Sequence, residues 1–284
     1  MAANNLPALK NALNAESIQK KFNEMLGKKS AGFITSITNV VQNNDLLQKA
    51  DVNSIILAAA QAASLDLPIN PNLGFAAIIP FNDKKNNRCV AQFQIQRDGW
   101  VDLCLRTGQF EYIANEIVYE GELVEKNRFT DTYVFDETKR TSDKVIGYMA
   151  SFKLTNGYKK TVYWTVEECK KHGKQYSQTF KKNYGLWVDN FSAMSLKTVL
   201  KHLLKKFAPK SIESIAQAIE KDQASFVGDI DNAQPVYVDN AKNETPTQEA
   251  EYEEVNENVD VETGEVVEVE SSPKAENKEE DLDF

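Results

Sequence analysis

The stretch from Leu67 to Leu103, LPINPNLGFAAIIPFNDKKNNRCVAQFQIQRDGWVDL, constrains this chain more than any other. Two apolar runs, Phe75 to Phe81 and Val90 to Ile95, are rich in aromatic and β-branched residues. They flank the polar, glycine-free segment Asn82-Asp83-Lys84-Lys85-Asn86-Asn87-Arg88. Asn and Asp favour turns because their side chains bond nearby backbone and tolerate left-handed conformations. The pattern therefore predicts a β-hairpin with three cations at its tip, followed at once by a helix over 98 to 106. Strand alternation turns Phe93 and Ile95 toward a core and sets Gln92, Gln94 and Gln96 on the opposite face.

Helical periods precede the hairpin. Residues 1 to 15, rich in Asn and Ala with Pro7, read as loosely ordered. Ile18, Phe22, Met25 and Leu26 then recur at helical spacing, as do Phe33, Ile34, Ile37, Val40 and Val41, with Ser30 as a cap. Asn53 is placed to cap a third helix, SIILAAAQAASLDL, which Pro68 halts. Together they predict a helical layer over about 16 to 66. After the hairpin, strands are expected at about 110 to 119, and at Lys144 to Leu154 paired with Tyr158 to Thr165. The link between that pair, Asn156-Gly157, suits a type I′ turn with φ > 0 at both positions. Residues 121 to 143 read as a long loop. Thr165 with Glu168 forms a capping-box pattern that opens a helix through Lys171.

A long helix is expected from Val188 to Phe207. Leu196, Val199, Leu200, Leu203 and Phe207 form its core stripe, while Lys197, Lys201 and Lys205 make a row of positive charge on another face. Pro209 ends it, and one more helix follows over Ser211 to Asp222. The fold class is thus α+β: a small antiparallel sheet with a β-hairpin, packed by helices, and an acidic C-terminal tail expected to be disordered from Gly228 on.

Charge divides the chain at that tail. Residues 229 to 284 hold 19 acids against three lysines, net −16, whereas residues 1 to 228 hold 30 bases and 23 acids, net +7. The overall charge of −9 hides a basic body suited to polyanions. The tail either competes for the same surface or only solubilises. Its end, Glu279-Glu280-Asp281-Leu282-Asp283-Phe284, is similar to the acidic tip by which bacterial single-strand-binding proteins recruit partners. Asp281, Leu282, Asp283 and Phe284 are its candidate partner contacts. Two domains follow: 1–228, binding and oligomerising, and 229–284, the tail.

Several chemistries are disfavoured. Cys89, Cys104 and Cys169 show no C-x-x-C pair, and only His172 and His202 could assist them, so neither a disulfide framework nor a zinc site is expected. Gly27-Lys28-Lys29-Ser30 superficially resembles a phosphate loop, but Asn23 stands where the upstream glycine is required. Asp98 and Asp102 lie one helical turn apart and could hold Mg²⁺, yet a two-metal nuclease needs more carboxylates. They read better as solvated helix acids, and Cys104 as buried beside them. No metal or cofactor is expected, nor enzymatic catalysis. The apolar run Ile55 to Ala60 is far shorter than the roughly 20 residues of a membrane helix, and MAANNLPALK has no apolar leader core, so a cytoplasmic protein is expected.

A single-strand binder needs cations that track phosphates and flat side chains on which bases stack. The candidates are Lys84, Lys85 and Arg88 at the hairpin tip, Arg97 and Arg106 around the next helix, and Lys197, Lys201 and Lys205. Gln92, Gln94 and Gln96 could bond backbone or base edges without sequence preference. Lys181 and Lys182, with Lys170, Lys171 and Lys174, share a connection with Tyr176, Phe180 and Tyr184. Trp100 and Trp187 read as core anchors, and His202 as either a surface residue or a DNA contact.

Specific residues also carry a resemblance. The I-I-P-F-N close of the first strand, the Q-F-Q-I second strand and the G-W-V-D-L helix start resemble the RecT family of phage recombination proteins. So do Gly108-Gln109, Trp187-Val188-Asp189, Met194 and Lys197-Thr198-Val199-Leu200. The likeness covers roughly residues 30 to 220 and resembles most a prophage RecT of a low-GC Gram-positive bacterium. Where many relatives carry an aromatic and then a cation before the glycine, this chain has Arg97 and Asp98 before Gly99. The resemblance implies ATP-independent annealing of complementary single strands on an oligomeric, filamentous protein. It also implies single-stranded and annealed duplex DNA as partners, an exonuclease that exposes the strands, and possible contact with host replication proteins. Two other readings fit the same charge pattern: a passive single-strand-binding protein, which would inhibit annealing, and a scaffold that recruits replication proteins through its tail.

Overall fold

A computed structural model describes residues 4–83, 86–127 and 129–236. Four helices come first: α1 (Leu6–Leu13), α2 (Glu16–Leu26), α3 (Ser30–Gln42) and α4 (Val52–Ser64). The start of the chain is more ordered than its composition suggests. Pro7 sits in the first turn of α1, where no N–H is required, and Leu9 and Leu13 are fully buried. Asn5 ties this start to the loop before α4, its N–H donating to Gln48 O and its side chain to Ala50 O.

Two expected caps are displaced. Ser30 is the first residue of α3 and is buried, with Lys29 at the cap position. Asp51, not Asn53, caps α4, its carboxylate accepting the Ser54 N–H at 2.8 Å. A charged oxygen two positions earlier outcompetes the amide because it meets the helix's free N–H groups directly. From Ser54 to Ala63 every residue of α4 is buried, so its alanines let neighbouring elements approach on all sides.

The hairpin forms as expected: β1 (Ala76–Asp83) and β2 (Arg88–Ile95) pair antiparallel from Ala76 opposite Ile95 to Asp83 opposite Arg88. Helix α5 (Arg97–Leu105) follows directly, with Trp100 and Cys104 buried. Gly99 permits this junction, since a Cβ there would overlap the Phe75 carbonyl oxygen, which already accepts the Gln96 N–H.

A three-stranded antiparallel sheet comes next, β3 (Phe110–Tyr119), β6 (Val145–Leu154) and β7 (Lys159–Thr165), with β6 central. The turn at Asn156-Gly157 is not type I′. Asn156 keeps a negative φ and only Gly157, at 89°, is left-handed, while Gly157 N–H bonds Leu154 O and Leu154 N–H bonds Tyr158 O. This is a type I turn closed by a left-handed glycine, which needs one positive φ instead of two. Between β3 and β6, the expected loop contains a second hairpin, β4 (Leu123–Asn127) with β5 (Thr132–Phe135). The charged residues around them hid the strands, although Tyr133 and Phe135 stack on one face of β5 and Phe135 packs on Tyr163 of β7.

The remaining helices are α6 (Val166–Tyr176), α7 (Gln178–Lys181), α8 (Leu186–Asp189), α9 (Phe191–Phe207) and α10 (Glu213–Lys221). The Thr165–Glu168 capping box is present at α6. The expected helix from Val188 is broken at Asn190, whose φ of −140° and ψ of 60° separate α8 from α9. Order also continues past Gly228: β8 (Ser225–Val227) pairs with β9 (Gln234–Val236), so a hairpin crosses the boundary expected at 228. The tail tip lies outside the described residues.

One prediction follows from the junction at Gly99. Gly99→Ala should cost about 2–4 kcal/mol by chemical denaturation, because overlap with a hydrogen-bonded carbonyl is relieved only by shifting the hairpin or α5. Gly108→Ala serves as a comparison: no neighbour would meet its Cβ, but its φ is 67°, so a loss of only about 1 kcal/mol is expected.

Candidate nucleic-acid interface

The far edge of β2 is closed by side chains and loops instead of a full strand. Asp51 N–H donates to Cys89 O, Ala91 N–H to Ser54 Oγ, and Phe93 exchanges bonds with Gln223 N–H and Ala224 O. The last group, Ile95 N–H, donates to Asp222 Oδ1 at 2.8 Å. Asp222 is buried, and its second oxygen lies 2.6 Å from Lys201 Nζ. That ammonium donates its hydrogen bond to Gln223 Oε1, also at 2.6 Å, and Gln223 reaches this position with a left-handed φ of 64°.

The glutamines of β2 belong to the same network. Gln92 is buried and donates to Gln223 O at 2.7 Å, Gln94 donates to Gln92 Oε1, and Gln96 accepts from Lys197 Nζ at 3.2 Å. Phe93 and Ile95 are fully buried on the other face, as the alternation requires. Each of the three glutamines thus makes at least one hydrogen bond inside the protein.

The lysine row is consequently not a solvated face. Lys197 is 8 % exposed, and burial pushes its ammonium down to about 8, opposed by the Asp222 charge and assisted by Lys201. Lys201 is committed to Asp222 and Gln223, and Lys205 is exposed in the last turn of α9. Spacing gave the row but not its depth, which depends on the chain at 222–224 closing over it.

The arginines are more accessible. Arg88 bonds buried Asp83 through Nε at 3.3 Å, while Asn86 holds the Asp83 carboxyl below the usual range by side-chain and backbone hydrogen bonds. Arg97 donates to Asn115, which in turn donates to Met149 O and Leu196 O, so this cation is keyed to β3, β6 and α9. Arg106 pairs with Asp102 at 2.6 Å and donates to Leu65 O. Asp102 is therefore an arginine partner, and no metal-ligand group of three or more occurs among the described residues. Lys84 and Lys85 lie outside the described residues.

One group of exposed cations shares its segment with exposed rings between the start of α6 and the start of α8. Lys170, Lys171, Lys174, Lys181 and Lys182 are exposed, as are Tyr176 and Tyr184. Beneath them Trp187 meets Phe180 at a tilt and Phe191 edge-on, with centroids 5.7 and 5.8 Å apart, and Trp164 packs against His172 and His202 at 5.3 and 4.9 Å. Gly173 lets Phe180 and Trp187 reach α6, since a Cβ would press on both rings. Burial lowers both histidines, His172 to about 4, and both rings pack on Trp164. Trp100 and Trp187 are buried, as expected of anchors. Sequence reasoning missed Gly173, Asp222 and Gln223; the glycine inside an otherwise helical pattern was the one local signal.

Comparison with known proteins decides the lineage. The RecT family model matches residues 31–238. The chain belongs to the RecT family. It is 43% identical over 224 residues to the uncharacterized protein YqaK of Bacillus subtilis (strain 168), covering 79% of this chain and 75% of that one. It is 27% identical over 203 residues to protein RecT of Escherichia coli (strain K12), covering 66% and 68%. RecT membership supports a recombination-related role in single-strand annealing, with DNA binding and oligomerisation. Among the described residues no helix is long and apolar enough to cross a membrane.

Lys197 and Lys201 should respond oppositely to substitution. Lys201→Met leaves Asp222 as a buried carboxylate without its cation and should cost about 3–5 kcal/mol. Lys197→Met removes an ammonium that folding desolvates and should stabilise the protein at pH 7 by about 1–3 kcal/mol. The folded state binds the Lys197 proton less tightly than the unfolded state, whose lysine keeps the ordinary 10.5. The penalty is thus fully present below about pH 8 and fades as pH rises toward 10.5. Chemical denaturation at pH 7 and pH 10 should show the parent gaining stability relative to Lys197→Met. A constant difference would contradict the assignment.

Proposed function

We propose that this protein anneals complementary DNA strands without nucleotide hydrolysis, coating one strand as an oligomeric filament and trapping the second as duplex. The observation that carries this reading is the α6–α8 tract, where five exposed lysines accompany Tyr176 and Tyr184 on a backbone held by an aromatic cluster around buried Trp187. Lysines neutralise phosphate repulsion, and exposed rings offer stacking surfaces that any base can use. Arg88, Arg97 and Arg106, with Lys84, Lys85 and Lys205, extend the basic surface in this reading. Lys197, Lys201 and the β2 glutamines support it from beneath.

Base pairing supplies the driving force, so no fuel is needed. Register over many bases calls for many adjacent subunits. The same reading places the protein in the bacterial cytoplasm beside an exonuclease that exposes the strands. Its acidic segment, residues 229 to 284, either competes for the basic surface or docks through Asp281, Leu282, Asp283 and Phe284 on a host replication protein.

Annealing of labelled complementary oligonucleotides should proceed without ATP, and affinity should fall by orders of magnitude between about 50 and 200 mM salt. Lys181→Ala and Lys182→Ala should each flatten the salt slope by about one unit on every sequence while leaving the melting temperature unchanged, since both side chains are exposed. A requirement for ATP, salt-indifferent binding, or annealing slowed by the protein would refute the reading.

A further inference from the structure

Beside the turn end of the β1–β2 hairpin is a cavity of about 280 Å³ that the annealing reading leaves unused. It lies between the N-terminus of α4, the first residues of β2 and the β8–β9 hairpin. Phe226, Val227 and Val236 give it apolar walls. Its polar groups are of a definite kind. Asp51 spends Oδ1 on the Ser54 N–H, leaving Oδ2 as an acceptor. Asn53 spends its amide nitrogen on Gly228 O at 3.0 Å, leaving its oxygen as a second acceptor. Ser225, a wall residue, has a buried hydroxyl with no hydrogen-bond partner. Arg88, whose Nε is held by Asp83, also lines the cavity and is half-exposed.

Apolar walls, two acceptors, one hydroxyl able to donate or accept, and a neighbouring guanidinium match the parts of a nucleotide. The flat base takes the walls, its amino group meets the carboxylate and the amide oxygen, and its phosphate meets the arginine. The volume is ample for one base. We propose that this cavity receives a single unpaired, amino-bearing nucleobase of a bound DNA strand, guanine above all, with the nucleotide's phosphate on Arg88. Guanine is favoured because its adjacent N1–H and N2–H₂ donors match the two free acceptors, Asp51 Oδ2 and the Asn53 side-chain oxygen, whereas thymine offers a single N–H flanked by two oxygens that would face them. An unpaired base costs least to turn out of a stack, so the pocket engages single strands and is vacated on pairing.

This inference rests on the hairpin carrying the strand, but it can fail separately. Annealing by the unsubstituted protein tests the function; mononucleotide binding tests the pocket. The full-length protein is titrated with dGMP, dCMP and dTMP and followed by calorimetry. dGMP should bind tightest and dTMP at least about tenfold more weakly, the discrimination one hydrogen-bonded base contact supplies. A dT oligonucleotide with one central dG should displace bound dGMP at concentrations where the all-dT oligonucleotide does not. Val227→Phe, a substitution on the exposed rim, and Ser225→Phe, deeper in the wall, should each weaken dGMP binding by about tenfold or more. If Ser225→Phe does not fold, Val227→Phe alone decides. No mononucleotide binding, equal binding of dTMP, failure of the dG oligonucleotide to displace dGMP, or indifference to Val227→Phe would each overturn the proposal.

Discussion

One buried carboxylate holds the hairpin half of the protein together. Strand β2 pairs with β1 on one side and would otherwise leave a row of unsatisfied backbone groups on the other. Asp222 closes that row at Ile95 and, through its second oxygen, captures Lys201 of α9. A buried carboxylate is costly unless paired and hydrogen-bonded, and here both conditions are met by groups from different elements. The cost of separating them ties β2, α9 and the segment after α10 into one unit.

That anchor reorganises the meaning of the charged surface. Lysines at i, i+4 and i+8 on a helix ordinarily suggest an electrostatic stripe for phosphates. In this fold two of the three are drawn inward by acceptors on β2 and at 222–223, and serve the scaffold instead. The accessible positive charge shifts to Arg88, Arg97 and Arg106, each oriented by a carboxylate or amide, and to the lysines of α6 and α7. Orientation by a second group leaves each of the three arginine side chains fewer rotamers to lose on any further contact. The tyrosines of the same tract ride on an aromatic cluster that requires Gly173 to close.

Much of the architecture was legible because its signals are local. The hairpin, the capping box at Thr165 and Glu168, and the core stripe of α9 follow from two-residue and 3.6-residue periods and from the hydrogen-bonding habits of a few side chains. The misreadings have equally local causes. Asp51 lay two residues before the cap assigned to Asn53, β4 and β5 are short and set among charged residues, and Asn190 breaks a helix without proline or glycine to announce it.

The sequence by itself determined the alternation of elements, the division into basic body and acidic tail, and the family signature, because each is written in neighbouring residues or in summed charge. Only the tertiary structure decided which polar groups are spent internally. Ile95 meets Asp222 across 127 positions and Lys197 meets Gln96 across 101, distances over which no periodicity carries information. Whether a lysine or glutamine faces water or a buried partner depends on what the rest of the chain places opposite it, and that is a property of packing.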